Sequence, residues 1–182
     1  MTKKLFFDTD CLSSFLWVNQ ERLLLRLYPG RIVVPNEVAS ELSNPCISHI
    51  KKRLSHLYSL GQFEKKQLMH GSEESRLFFD MVTNPERNVV PIGKGEAAAL
   101  ALAKVYEGVV ASNNIRDILY YVEKWNLAYI TTAEILIEAK KMGLIDEYDG
   151  NTIWENMLAK KRSLPADTFS EYIRNSMKNE SN

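Results

Sequence analysis

The chain begins with a short apolar run, Lys4–Phe7, which stops at Asp8-Thr9-Asp10 as a fully buried strand would. Apolar positions then switch to helical spacing, through Leu12, Phe15 and Leu16 and on to Leu23, Leu24 and Leu27, until Pro29-Gly30 ends the helix pair. Arg31–Val34 reads as a second strand, and Pro35 opens a helix with Val38 and Leu42 on one face. Ile47–Leu60 is amphipathic, with Ile47, Ile50, Leu54, Leu57 and Leu60 inside and Lys51, Lys52, Arg53 and His56 outside. Phe63–His70 alternates loosely, as a strand does, and Glu73–Val82 is a further amphipathic helix closed by Asn84-Pro85.

The second half repeats the alternation. Val89–Pro91 reads as a strand, and a Gly93-Lys94-Gly95 turn leads into an Ala/Leu-rich helix. A strand at 108–111 follows, then a helix from Asn113 to Trp125 capped by Ser112-Asn113-Asn114. Leu127–Ile130 reads as an edge strand, and a helix from Thr131-Thr132 to Met142 ends at Gly143. Asp146 to Met177 reads as two helices joined around Pro165. Strands alternating with helices predict a short parallel sheet between helical layers, an α/β/α sandwich. The expected division is a main domain over 1–145, a helical extension over 146–177 and a flexible tail over 178–182.

Composition narrows this picture. With 182 residues the chain is long enough for one sizeable core. Its formal net charge of +0 excludes a global basic field, so contact with nucleic acid would need a local patch. Lys51–Arg53, Lys65–Lys66 and Lys160–Arg162 are candidates that also read as solvated faces, and the three histidines share no ligand spacing. Cys11 and Cys46 lack CxxC spacing and read as reduced, buried thiols. No apolar run approaches the roughly 18 residues of a membrane span, so a soluble cytoplasmic protein without a membrane partner is expected.

Candidate chemistry lies in acids that end strands or open helices. Asp8 closes the first strand, with Asp10 just beyond; Glu41 lies in the helix after the second; Glu96 opens the Ala/Leu helix. Asp117 shares a helical face with Asn113 and Asn114. Each also has a structural reading, as a helix cap or a dipole-favoured first-turn acid. Carboxylates gathered in one crevice repel unless a cation neutralises them, so a cluster of them marks a metal site or a liability.

The segments FFDTDCL at 6–12, VVPNEVASEL at 33–42, GKGEAAALALA at 93–103 and GVVASNNIRDI at 108–118 resemble the PIN-domain ribonucleases in order and spacing. LAYITTAEIL at 127–136 fits the family's final strand and helix. The resemblance implies a three-layer α/β/α domain that hydrolyses RNA phosphodiesters with Mg²⁺ or Mn²⁺, often as the toxin of a toxin–antitoxin pair. It matches Asp8, Glu41 and Glu96 to the family's acidic metal positions, and it implies an RNA substrate, an antitoxin protein partner and a homodimer. This chain departs from the pattern at Ser112-Asn113-Asn114, where an acid is usual; asparagine offers a neutral oxygen but removes one negative charge. Asp117 is placed to supply the missing carboxylate, Ser112, Asn113 and Asn114 to orient waters or substrate, and Arg116 to contact a phosphate. The extension, through Trp154, Leu158, Phe169 and Tyr172, is expected to form an interface or lid. The rival reading is a catalytically impaired PIN fold kept as a protein- or RNA-binding module.

Overall fold

The computed structural model describes residues 2–86 and 89–180. Its sheet is five-stranded and wholly parallel, in the order β3-β2-β1-β4-β5, from β1 (Leu5–Phe7), β2 (Ile32–Pro35), β3 (Glu64–Lys66), β4 (Val109–Ala111) and β5 (Ala128–Ile130). The central strand β1 pairs Leu5 with Ile32 on one side and with Val109 on the other. Alternation along the pleat divides the core. Leu5, Phe7, Ile32, Val34 and Ala111 face one hydrophobic cluster, whereas Phe6, Val33 and Val110 face the other.

The first cluster is covered by α1 (Thr9–Trp17), α2 (Glu21–Leu27), α4 (Ser48–Ser59) and α8 (Thr132–Lys141), with α3 (Asn36–Glu41) reaching it through Val38 and Ala39. The second is covered by α5 (Glu73–Thr83), α6 (Lys94–Val105) and α7 (Ile115–Trp125). The three-layer α/β/α expectation holds. Helices α9 (Glu147–Ala159) and α10 (Phe169–Glu180) add Ile153, Trp154, Met157, Phe169 and Ile173 to the first cluster. Trp154 and Phe169 are fully buried in this cluster, whereas Leu158 is exposed. α10 runs on through Lys178 to Glu180; Ser181 and Asn182 of the expected tail lie outside the described residues.

Several local expectations fail. Val89–Pro91 joins no strand: Pro91 lacks an N–H, Val90 is 76% exposed, and Ile92 N–H is instead given to the Met81 carbonyl at the end of α5. The edge strand comes from Phe63–His70, but only Glu64–Lys66 pairs. That strand is charged, as an exposed edge should be, and Lys4 bonds Glu64 across it at 3.0 Å. Leu60 is exposed because α4 ends one residue earlier. Arg53 is half-buried, giving one N–H to the Leu16 carbonyl and pairing with Glu21, so it is no free RNA contact. Cys46, in a 3-10 turn, is exposed, while Cys11 is buried.

Candidate active site

Reversal of strand order between β1 and β4 creates a crevice at the carboxyl ends of those strands, where open α/β sheets place their ligands. Asp8 follows β1 there, its N–H bonded to the Ala111 carbonyl of β4 at 2.9 Å. Its Oδ1 caps α1 by accepting the Cys11 N–H at 2.7 Å. The residue is fully buried, and although the Ser112 hydroxyl lies close to its carboxyl, Oδ2 makes no well-aligned hydrogen bond among the described residues. Burial pushes the carboxyl up to about 7; the Ser112 hydroxyl and the Cys11 amide pull it down, and the nearby charges of Glu96 and Asp10 raise it further. A cap alone would not need a buried oxygen without a well-aligned hydrogen bond.

Glu41, the last residue of α3, accepts from the Thr9 hydroxyl and from Gly95 N–H at 3.2 Å, so it joins α1, α3 and α6. This convergence depends on Gly95: a Cβ there would stand 2.6 Å from Thr9 Oγ1 and 3.0 Å from Glu41 Oε2. Glu96 folds its carboxylate back over Gly93, the N-cap of α6, where the helix dipole favours negative charge. The Asn114 side-chain amide lies between Glu96 Oε1, at 3.5 Å, and Asp117 Oδ2, at 2.7 Å. Contacts thus link Asp8 to Ser112 and Glu96, and Glu96 through Asn114 to Asp117, with Glu41 held at Gly95 beside Glu96; Ser112 is buried, and Glu41 and Asp117 also line separate clefts.

The capping expected of Ser112-Asn113-Asn114 is distributed differently. Asn114 occupies the N-cap of α7, but its side chain makes no capping bond; Ser112 Oγ takes the Asn114 N–H at 3.1 Å. Asn113 turns the other way, accepting the Thr132 N–H of α8 at 2.8 Å and donating to Asp10 Oδ2 at 3.3 Å. Asp10 in turn lies 3.6 Å from Arg162, whose Nη1 also donates to Ser13 Oγ at 3.1 Å. Arg116 is exposed and lines a cleft with Asp117, Val90, Pro91 and Tyr120, so it lies beside that one acid of the group. Thr9, Gly95 and Arg162 were not legible as site residues in the sequence. Their importance lies in partners remote in the chain.

All the converging donors are carboxylate, amide or hydroxyl oxygens, the set that suits a hard divalent cation. Among the described residues, no group of three or more His, Cys, Asp or Glu side chains is drawn together closely enough to hold a metal ion. Glu41 and Glu96 each contact neighbouring protein, while Asp8 Oδ2, and Glu37 Oε2 in the cleft lined by Glu41, are buried without a well-aligned hydrogen bond among the described residues. No helix among the described residues is long and apolar enough to cross a membrane. A family model described as a PIN domain matches residues 4–178. Comparison with curated proteins finds no match.

Proposed function

Because the chain belongs to the PIN-domain family, whose members are generally nucleases that use divalent metal ions, we propose that it is a metal-dependent endoribonuclease. The observation that supports this reading is the Asp8 carboxyl. It is wholly buried at the sheet's switch point, one of its oxygens makes no well-aligned hydrogen bond among the described residues, and Glu96 and Asp10 are close enough to raise its pKa. An isolated buried charge is costly, and a cation at this point would relieve that cost.

In this proposal Asp8, Glu41 and Glu96 hold Mg²⁺ or Mn²⁺. The bound ion would polarise the phosphate and lower the pKa of a water. Thr9 and Gly95 hold Glu41 in place, the Asn114 amide orients Asp117 and Glu96, and Ser112 steadies the loop beneath them. Asp117 is the carboxylate that stands in for the acid absent at Asn113-Asn114. Arg116, in the cleft it shares with Asp117, meets the RNA backbone beside the reacting phosphate. A toxin role, with an antitoxin protein partner and a homodimer, belongs to the same proposal, as does a cytoplasmic location.

The second reading, a catalytically impaired PIN fold acting as a protein- or RNA-binding module, draws on one specific observation. Asn113 and Asn114 are neutral, and both amides are already engaged with protein carboxylates. Incubating a mixed tRNA and mRNA pool with wild type and Asp8→Asn, in Mn²⁺, Mg²⁺ or EDTA, separates the two. Cleavage that requires metal and is lost by at least a hundredfold in Asp8→Asn is expected, in line with loss of a metal ligand. A well-folded wild type that cuts nothing under any metal supports the binding module.

A further inference from the structure

Helix α5 carries an aromatic side chain where folding does not call for one. Its inner face runs through Glu74, Leu77, Phe78, Met81 and Val82, the spacing of one helical stripe, and this face packs towards α6. Phe79 lies off the stripe. It is 58% exposed, and its one ring contact among the described residues is the edge of Phe78, at 5.8 Å and 79°.

Phe79 opens onto a cleft of about 700 Å³ whose walls include Phe78, Asn36, Ser40, Glu41 and Lys94. The cleft borders the candidate site at Glu41, which lines it and accepts the N–H of Gly95, the neighbour of both Lys94 and Glu96. Among the described residues Lys94 makes no ion pair. An exposed ring, an uncommitted ammonium and side-chain amide and hydroxyl groups at the mouth of an acid site match the chemistry of a single nucleotide. The ring suits a base, and the cation suits its phosphate.

We propose that Phe79 is a stacking platform for an unpaired base of single-stranded RNA, with Lys94 holding an adjacent phosphate, so that the strand leads into the acidic crevice. The proposal rests on the ribonuclease reading and adds to it the residues that hold the strand beside the acids. Bases within a duplex are already stacked on one another and cannot use the platform. Every base has a π-face, so the selection is for strand state and not for sequence. Glu37 and Glu41 keep the walls acidic, so affinity depends on stacking more than on a basic field.

Anisotropy binding in EDTA, with labelled single-stranded RNA, its duplex and a series carrying one abasic nucleotide walked along the strand, tests this directly. Wild type should prefer the single strand. Phe79→Ala should weaken binding by about tenfold, with Phe79→Trp restoring it and Lys94→Ala losing a few-fold. At one position the abasic nucleotide should cost wild type about the same tenfold and cost Phe79→Ala nothing. Equal abasic losses in both proteins, or wild-type affinity in Phe79→Ala, overturn the platform. If RNA cleavage then persists unchanged in Phe79→Ala, the ribonuclease reading survives alone. If Phe79→Ala instead loses only a co-purifying protein, the face is a protein-docking surface and the proposal is wrong. Wild type that neither binds nor cleaves RNA removes both.

Discussion

Asp8 couples its protonation to folding, because burial pushes its carboxyl up to about 7 from the ordinary 3.8. A carboxyl whose folded pKa lies above its unfolded one holds its proton better in the native state. Its favourable contribution is therefore present at acid pH and is lost as pH rises from about 4 through about 7. The gap is worth on the order of 4 kcal/mol. Urea unfolding in chelating buffer should show stability falling across that window. Asp8→Asn, neutral throughout and still able to accept the Cys11 N–H, should flatten the slope; the same slope in the variant would assign the pH dependence to other groups. Asp8 was legible because an acid that ends an apolar run is local information. The environment of its second oxygen was not, since that depends on what Ala111, Ser112 and Glu96 bring from elsewhere.

At the scale of elements, the site depends on how closely the first turn of α6 approaches α1 and α3. Gly95→Ala should gain roughly 1 kcal/mol of helix propensity, but its methyl group would stand 2.6 Å from Thr9 Oγ1 and 3.0 Å from Glu41 Oε2. We expect cleavage to fall at least tenfold while the melting temperature moves by only a few degrees, read by parallel activity and thermal-melt assays; unchanged cleavage would show that the Thr9–Glu41 contact is dispensable. Apolar periodicity located nearly every helix in this chain. It failed for Val89–Pro91 because a β-like pattern does not provide a sheet edge to pair with, and a proline at the end removes a donor. It found the cap of α8 at Thr131, which accepts the Glu134 N–H, but not the added bond from Thr132 N–H to Asn113, which lies next to another helix in sequence.

Across the whole molecule, the last two helices share the core of the first half. Trp154 is almost wholly buried, its indole N–H given to the Ala166 carbonyl at 3.0 Å and its ring near Phe169 and Tyr172. Trp154→Ala should cost about 3–5 kcal/mol and lower the midpoint of a single unfolding transition; a separate early transition, with the remainder unaffected, would show that these helices unfold by themselves. The connection between them also delivers Arg162 to Asp10, so the C-terminal segment reaches the edge of the acidic crevice. The sequence by itself determined the alternation of strands and helices, the layered fold and the candidate acids, because hydrophobic period and strand-end position are local properties of the chain. Tertiary structure alone decided the order of strands, the placing of Asp8 at their switch point, the Thr9–Glu41–Gly95 junction, the two directions taken by Asn113 and Asn114, and the cleft beneath Phe79. Each of these is a meeting of residues far apart in the chain, and only packing the two hydrophobic clusters against one sheet brings them together.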